Sequence, residues 1–378
     1  MGPLTGFKVI EMKGIGPGPY AGMLLADLGA EVIVVERASK PNSIAPPSSM
    51  DVLSRGKKSI ALNLKSTEGL NTLLTLVEGA DALIEGYRPG VAERLGFGPD
   101  TCFEFNPKLV YGRMTGWGQT GPLAHSAGHD INYISLTGAA AAIGTAEKPV
   151  PPLNIIGDFA GGSLFLVMGI LAALLETRQS GKGQVIDTAI TDGSAHLMSM
   201  FYTMSKLGVW NTSRGSNLLD GGAPFYGAYE TADRKFVSVG SIEPQFFAEM
   251  VVKAGMPESI IQDQNNPAKW PEMKAALVET FKSKNRDEWV GIFEGSDACV
   301  AGILDYQEAI AHPHNKARET YIEINGVQQP APAPRFSRTV CGAPSAPSGE
   351  GTDTEEVLEA WGFSIDEISV LRATGALS

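Results

Sequence analysis

Glu31-Val32-Ile33-Val34-Val35-Glu36 decides the fold. Its unbroken branched apolar run leaves no face for water, as in a strand buried on both sides of a parallel sheet. Upstream, Phe7-Lys8-Val9-Ile10-Glu11-Met12 reads as a first strand, Gly14 to Pro19 as a loop and Tyr20 to Leu28 as a helix. Downstream, Ser59-Ile60-Ala61-Leu62-Asn63-Leu64 is a third strand, followed by a helix from Ser66 to Glu78. Ala82-Leu83-Ile84 and Leu109-Val110-Tyr111 continue the series. Strands alternating with helices predict a doubly wound, Rossmann-like α/β domain.

A long apolar helix is expected from Asp158 to Thr177, a strand at Gln184 to Ile190, and a Met-rich helical stretch from Gly193 to Leu207. The polar, Gly-rich stretch 211–222 reads as a linker after a large domain at 1–210. Phe225 to Glu230 and Phe236 to Val239 flank the turn Ala232-Asp233-Arg234 as a hairpin, and helical patterns follow. This is a smaller α+β domain, 223–324. A Pro-rich return segment starts at Pro330, and the tail from Asp353 to Ala376 reads as helical.

The 378 residues are 43% hydrophobic and 19% charged, with a net charge of -12. Such a surface argues against nucleic acid and anionic membrane as partners. Cys102, Cys299 and Cys341 are too few and too scattered for a disulfide framework, which favours a reducing compartment. His312 and His314 form an isolated H-P-H with nothing nearby to complete a metal site, so no metal is expected. The N-terminus lacks the regions of a signal peptide. The apolar run from Ser163 to Leu175 falls short of the ~20 residues of a bilayer span. The tail Gly375-Ala376-Leu377-Ser378 is not a Ser-Lys-Leu address, so the cytoplasm is the expected location.

Gly14-Ile15-Gly16-Pro17-Gly18 after a strand, with Glu36 closing the next, imitates a dinucleotide fingerprint. Pro17 and Pro19 remove two amide donors that a pyrophosphate would use, which argues against a nicotinamide enzyme. Basic residues cluster near strand ends: Arg37, then Arg55, Lys57, Lys58 and Lys65, then Arg88 and Arg94. Each is either solvated surface charge or part of a phosphate site; as a group in an acidic chain they suggest a nucleotide or coenzyme A.

His129, in Gly128-His129-Asp130-Ile131-Asn132-Tyr133, is either a satisfied loop histidine or a base at a helix start, where amides at Asp130 and beyond can bind an oxyanion. Asp158, in Gly157-Asp158-Phe159-Ala160-Gly161-Gly162, is either an N-cap or an acid/base group, and its glycines permit close approach of a backbone or a ligand. Glu243 is either a first-turn acid or the partner of the His129 ring. Met198, Met200 and Met204 are either core or an adaptable acyl surface.

These motifs together resemble the class III CoA-transferase family, and within it the α-methylacyl-CoA racemase branch. The resemblance rests on Val34-Val35-Glu36-Arg37, on Arg55 to Lys65, on Glu85-Gly86-Tyr87-Arg88-Pro89-Gly90 and on Met114 to Pro122. Gly128 to Tyr133, Gly157-Asp158-Phe159 and Pro334-Arg335-Phe336-Ser337-Arg338 complete it. It implies an interlocked homodimer and a large coenzyme A-binding domain completed by 325–378. Coenzyme A would lie near Arg37, Lys65, Gly86, Tyr87, Arg88 and Arg94. His129 and Asp158 would be the acid/base pair, with Glu243 beside the ring. Asp130 would supply an amide to the thioester oxygen, and Tyr133 and Asn154 would line the site. The glycine-rich loop of the transferase branch is missing at Val239 to Pro244, and His129 is present; both favour a racemase.

The expected reaction is 1,1-proton transfer interconverting (2R)- and (2S)-2-methylacyl-CoA thioesters through an enolate. It calls for no cofactor, because coenzyme A is part of the substrate. Asp158 is expected to titrate above the usual carboxylate range when substrate excludes water. In the alternative, a class III CoA-transferase, Asp158 is a nucleophile.

Overall fold

The computed structural model describes residues 2–37 and 48–377; Met1 and Ser378, in the terminal stretches weighed above for targeting signals, lie outside them. Two compact units result: 1–137, 153–197 and 317–378 form the larger, 138–152 and 198–316 the smaller. This division differs from the expected boundaries. Residues 198–210 group with the smaller unit because the Met-rich stretch is two helices that part at Met198. The expected linker is folded on itself: Asn217 Nδ2 donates to the carbonyls of Asn211 (3.1 Å) and Ser213 (3.2 Å) and to Asp220 Oδ2 (2.7 Å). Its polar residues hold a turn together, which composition alone does not reveal.

The larger unit begins with β1 (Lys8–Met12), α1 (Pro17–Asp27), β2 (Glu31–Glu36), β3 (Lys57–Ala61), α2 (Thr67–Glu78) and β4 (Ala82–Glu85). It continues with α3 (Val91–Leu95), α4 (Pro99–Phe105), β5 (Val110–Thr115) and α5 (Asp130–Ser135). The sheet runs β3-β2-β1-β4-β5-β6, where β6 is Gln184–Ala189, and every pairing is parallel. Strand order reverses between β1 and β4, which opens a crevice at the carboxyl ends.

Alternation along the strands sorts the core into two layers. Ile10, Ile33, Val35, Leu83 and Tyr111 pack with Leu73 and Leu76 of α2 and with Val357 and Leu358. Val9, Val32, Ile84 and Val110 pack with Ala21 and Leu25 of α1 and with Leu166 and Ile170. Burying each such side chain contributes about 1.5–3 kcal/mol.

Several boundaries moved, including the following. α1 starts at Pro17 rather than Tyr20, since proline at the first helical positions needs no N–H and its φ suits a helix. β3 starts at Lys57 rather than Ser59. The apolar helix starts at Ile155, as a π-helix to Leu164 that runs into α7 (Phe165–Ser180). Asn154, not Asp158, holds the N-cap position, so the capping role weighed for Asp158 does not apply. Gly161 and Gly162 serve packing of the following helix α8 (Ile190–Leu197). A Cβ on Gly161 would lie 2.3 Å from Ser194 Oγ, and one on Gly193 would lie 1.8 Å from the Gly161 carbonyl oxygen.

The helix Ile155–Ser180 thus has 26 residues and mean hydropathy 2.0, long and apolar enough to cross a bilayer by length and composition. That exceeds the run read from the sequence. Leu166, Val167, Ile170, Ala173 and Leu174 are buried against the sheet, as in a core helix.

The return segment closes this unit with the hairpin β10 (Tyr321–Ile324) and β11 (Val327–Pro330) and the helices α15 (Thr354–Ala360) and α16 (Ile365–Ala373). It is tied to β3 and its extension: Asp353 Oδ2 accepts the Ser59 N–H at 2.7 Å, and the Asn63 N–H reaches the Ala376 carbonyl at 2.8 Å.

The smaller unit contains α6 (Ala139–Ala142), α9 (Ser199–Lys206), and an antiparallel sheet of β7 (Tyr226–Glu230), β8 (Phe236–Gly240) and β9 (Val300–Ile303). The expected hairpin is β7–β8. α10 (Pro244–Lys253), α11 (Trp270–Phe281) and α12 (Arg286–Phe293) pack on it through Phe247, Phe281 and Trp289, and α13 (Tyr306–Ala311) and α14 (Pro313–Ala317) follow.

Candidate active site

A cavity of about 1280 Å³ lies at the carboxyl ends of the parallel strands. Its wall takes residues from the loop after every strand: Gly16 after β1, Arg37 after β2, Lys65 after β3, Tyr87 and Arg88 after β4, Trp117 after β5, and Ile190 after β6.

His129 and Asp158 both line it. His129 is the residue before α5, in extended conformation (φ -131°, ψ 173°), and its N–H donates to Asn132 Oδ1 at 3.0 Å. That bond satisfies the backbone at the helix start and leaves the ring at the cavity wall. Asp158 sits one turn inside the π-helix. Burial pushes its pKa up; the Asn154 amide, which donates to Asp158 Oδ2 at 3.3 Å, opposes this, the nearby Asp130 carboxylate adds to it, and His129 opposes it.

The two segments are fastened together by Asp130. Its Oδ2 accepts the backbone N–H of Asp158 at 2.7 Å. Gly157 makes room, since a Cβ there would lie 2.2 Å from that oxygen. Asp130 is buried, and its Oδ1 has no hydrogen-bond partner among the described residues. The side chain after the histidine thus fixes the backbone of the aspartate.

Tyr133 braces the other side. Its hydroxyl donates to the Gly128 carbonyl, and its ring meets Trp117 edge-on at 4.8 Å. A Cβ on Gly116 would strike that ring at 2.0 Å. Burial raises the Tyr133 pKa, the Asp158 charge adds to it, and the Arg88 charge opposes it. The acid/base end and the basic end of the cavity are therefore within electrostatic reach of each other.

Of the expected coenzyme A residues, Arg37, Lys65, Gly86, Tyr87 and Arg88 line the cavity, and Arg94 does not. Arg55, Lys57 and Lys58, at the start of β3, lie away from the carboxyl-end rim. Arg55 is buried against Asp27 (2.6 Å), Lys57 against Glu11 (2.5 Å), and Lys58 pairs with Glu356 at the surface (2.7 Å). Asn154 acts through Asp158 rather than on the cavity wall. Met198, Met200 and Met204 group with the smaller unit and do not line this cavity. Glu243 also belongs to the smaller unit, as the residue before α10.

Trp117, Lys13, Glu36 and Glu350 line the cavity without having been singled out as site residues. Trp117 carried a signal, because it follows a strand inside a glycine-rich turn. Glu350 carried none, since only the folded return segment brings it to the rim.

A model of CoA-transferase family III matches residues 4–352. The chain belongs to that family. Across 98% of its length it is 44% identical to the alpha-methylacyl-CoA racemase of Mus musculus and 42% identical to that of Homo sapiens, covering 96% of each. It is also similar to the crystal structure of a CAIB/BAIF family protein from Brucella suis, with TM-score 0.82 and 25% identity over 95% of this chain and 99% of that one. The family match begins before β1 and ends within the return segment, so it takes in every cavity-lining residue named above.

Proposed function

We propose that the cavity binds a coenzyme A thioester and that His129 and Asp158 interconvert the (2R) and (2S) forms of its 2-methylacyl group. One group takes the α-proton as the C–H bond breaks. The electron pair moves onto the thioester oxygen as an enolate, and the other group returns a proton to the opposite face. The backbone amide of Asp130, at the start of α5, is the proposed donor to the enolate oxygen. One proton leaves and one is returned, so the pair needs no redox partner or cofactor. Racemase relatives at more than 40% identity support this reading. The observation that carries it is an imidazole and a raised-pKa carboxyl that both line one cavity, their segments fastened through Asp130.

Arg37, Lys65 and Arg88 are the proposed phosphate-binding residues, on a chain whose overall charge would repel a polyanion. We also propose a homodimer. On the larger unit Leu164, Met168 and Leu175 are 50%, 59% and 63% exposed along one helix. Val185 is exposed on β6, the edge strand of the sheet. A partly apolar face of this kind is a candidate protein contact.

Incubation with one epimer of a 2-methylacyl-CoA in heavy water tests the chemistry. The expected result is inversion with deuterium at the α-carbon. Inversion without label would contradict it. Trapping of an acyl-enzyme at Asp158 by hydroxylamine, in the presence of an acceptor acid, would instead support the transferase chemistry.

A further inference from the structure

The loops after the neighbouring strands β4 and β5 both line the cavity, and one buried cation holds their roots. Arg113, on β5, is 8% exposed. Its Nε lies 3.3 Å from Glu85 Oε1, its Nη1 donates to Gln119 Oε1 at 2.9 Å, and its Nη2 donates to Glu93. Glu85, the last residue of β4, is 2% exposed and accepts the Tyr87 N–H on Oε2 at 2.7 Å. The guanidinium therefore grips both ends of segment 85–93, whose middle gives Gly86, Tyr87, Arg88 and Pro89 to the cavity. It also grips Gln119, just beyond Trp117. Glu85, Glu93, Arg113 and Gln119 are themselves outside the cavity lining.

We propose that Glu85 and Arg113 are positioning residues for the coenzyme A moiety, acting through Tyr87 and Arg88 without touching the substrate. This rests on the reading of the cavity as a coenzyme A thioester site. The planar fork of arginine suits the task, because in one fixed geometry it donates to Gln119 and Glu93 on two segments while its charge pairs with Glu85.

The cluster also changes charge near neutrality. Burial pushes Glu85 up to about 7, opposed by the Tyr87 amide and Arg113, with Glu93 adding to the rise. The charged and titratable groups around it are Arg113 and Tyr111 on β5, Tyr87 in the loop after β4 and Glu93 on α3. When Glu85 takes up a proton it loses its attraction for Arg113 and becomes a weaker acceptor for the Tyr87 N–H. Grip on the loop, and hence affinity, is then lost as pH falls through about 7.

The test compares the full-length wild type with Glu85→Gln, which keeps shape and an acceptor but cannot ionise. The Kd for a 2-methylacyl-CoA is measured between about pH 8 and about pH 6, and α-proton exchange is measured at saturating thioester. At the upper pH the variant is expected to bind about tenfold more weakly, with its saturated exchange rate within about twofold of wild type. The ratio of the two Kd values, from which titration of the ligand's own phosphate cancels, is expected to fall toward one at the lower pH. Arg113→Lys keeps the charge and loses the fork, so it is expected to weaken binding at every pH. Should Glu85→Gln not fold, Gln119→Ala probes the same cluster from its half-buried end and is expected to raise Kd a few-fold with unchanged saturated exchange. Equal Kd values at the upper pH, a ratio independent of pH, or loss of saturated exchange with Kd intact would overturn the proposal. Wild type that binds no coenzyme A thioester would overturn the reading of the cavity as well.

Discussion

Glu11 and Asp158 are both carboxyl groups whose pKa values burial pushes up, yet their surroundings are opposite. Glu11 holds Lys57 Nζ at 2.5 Å, and both side chains are 1% exposed. Lys57 also donates to the Pro19 carbonyl at 2.8 Å. Gly22 leaves space for the pair, since a Cβ there would lie 1.9 Å from the Glu11 carboxylate. Asp158 has an amide at 3.3 Å, an imidazole within electrostatic reach across a cavity, and a second carboxylate bonded to its backbone. A buried carboxylate with a committed cation is structure. One left without such a cation, facing a cavity, keeps its basicity for chemistry. The same contrast separates Arg55 and Lys57, locked in pairs, from Arg37, Lys65 and Arg88 on the cavity wall.

Substitutions at the two carboxylates should therefore fail in different ways. Asp158→Asn is expected to lower inversion of the 2-methylacyl centre by about 10³-fold while leaving the melting temperature close to wild type. A variant that melts much lower would place Asp158 with Glu11. Lys57→Met should do the reverse. Leaving Glu11 buried without its cation is expected to cost about 3–5 kcal/mol in urea unfolding. Retained stability would show that the pair is not what ties β3 to β1. Arg88→Ala should sit between these extremes, raising the Kd for a coenzyme A thioester about tenfold with little change in saturated exchange rate.

A smaller effect tests the carboxylate bonded to Asp158. Asp130→Asn keeps an acceptor for the Asp158 N–H but removes a like charge. Because the Asp130 charge raises the Asp158 pKa, its removal should lower that pKa. The acid limb of the kcat/KM profile should then move to lower pH. A limb that stays in place, or moves up, would show that the Asp130 charge does not act on Asp158.

The sheet was legible because its strands are apolar runs buried on both faces, and Val32 to Val35 admit no other period. His129 and Asp158 were legible as ionisable groups beside glycine at apparent helix starts. The conformation at Asp158 was not legible, because Gly161, within the same π-helix, packs closely against Ser194, far along the chain. Nor did residue type reveal which basic groups are committed to buried ion pairs. Arg55 and Lys57 find their carboxylates 28 and 46 residues away, so only folding shows that they are taken. Stretch 211–222 has linker composition, yet its Asn and Asp side chains make it a folded turn.

The central claim is that two different groups serve opposite faces of one carbon. His129→Asn and Asp158→Asn should each retain heavy-water exchange with one epimer of a 2-methylacyl-CoA, without inversion, and each should choose the opposite epimer. Identical choices by the two variants, or exchange of both epimers by either one, would contradict the account.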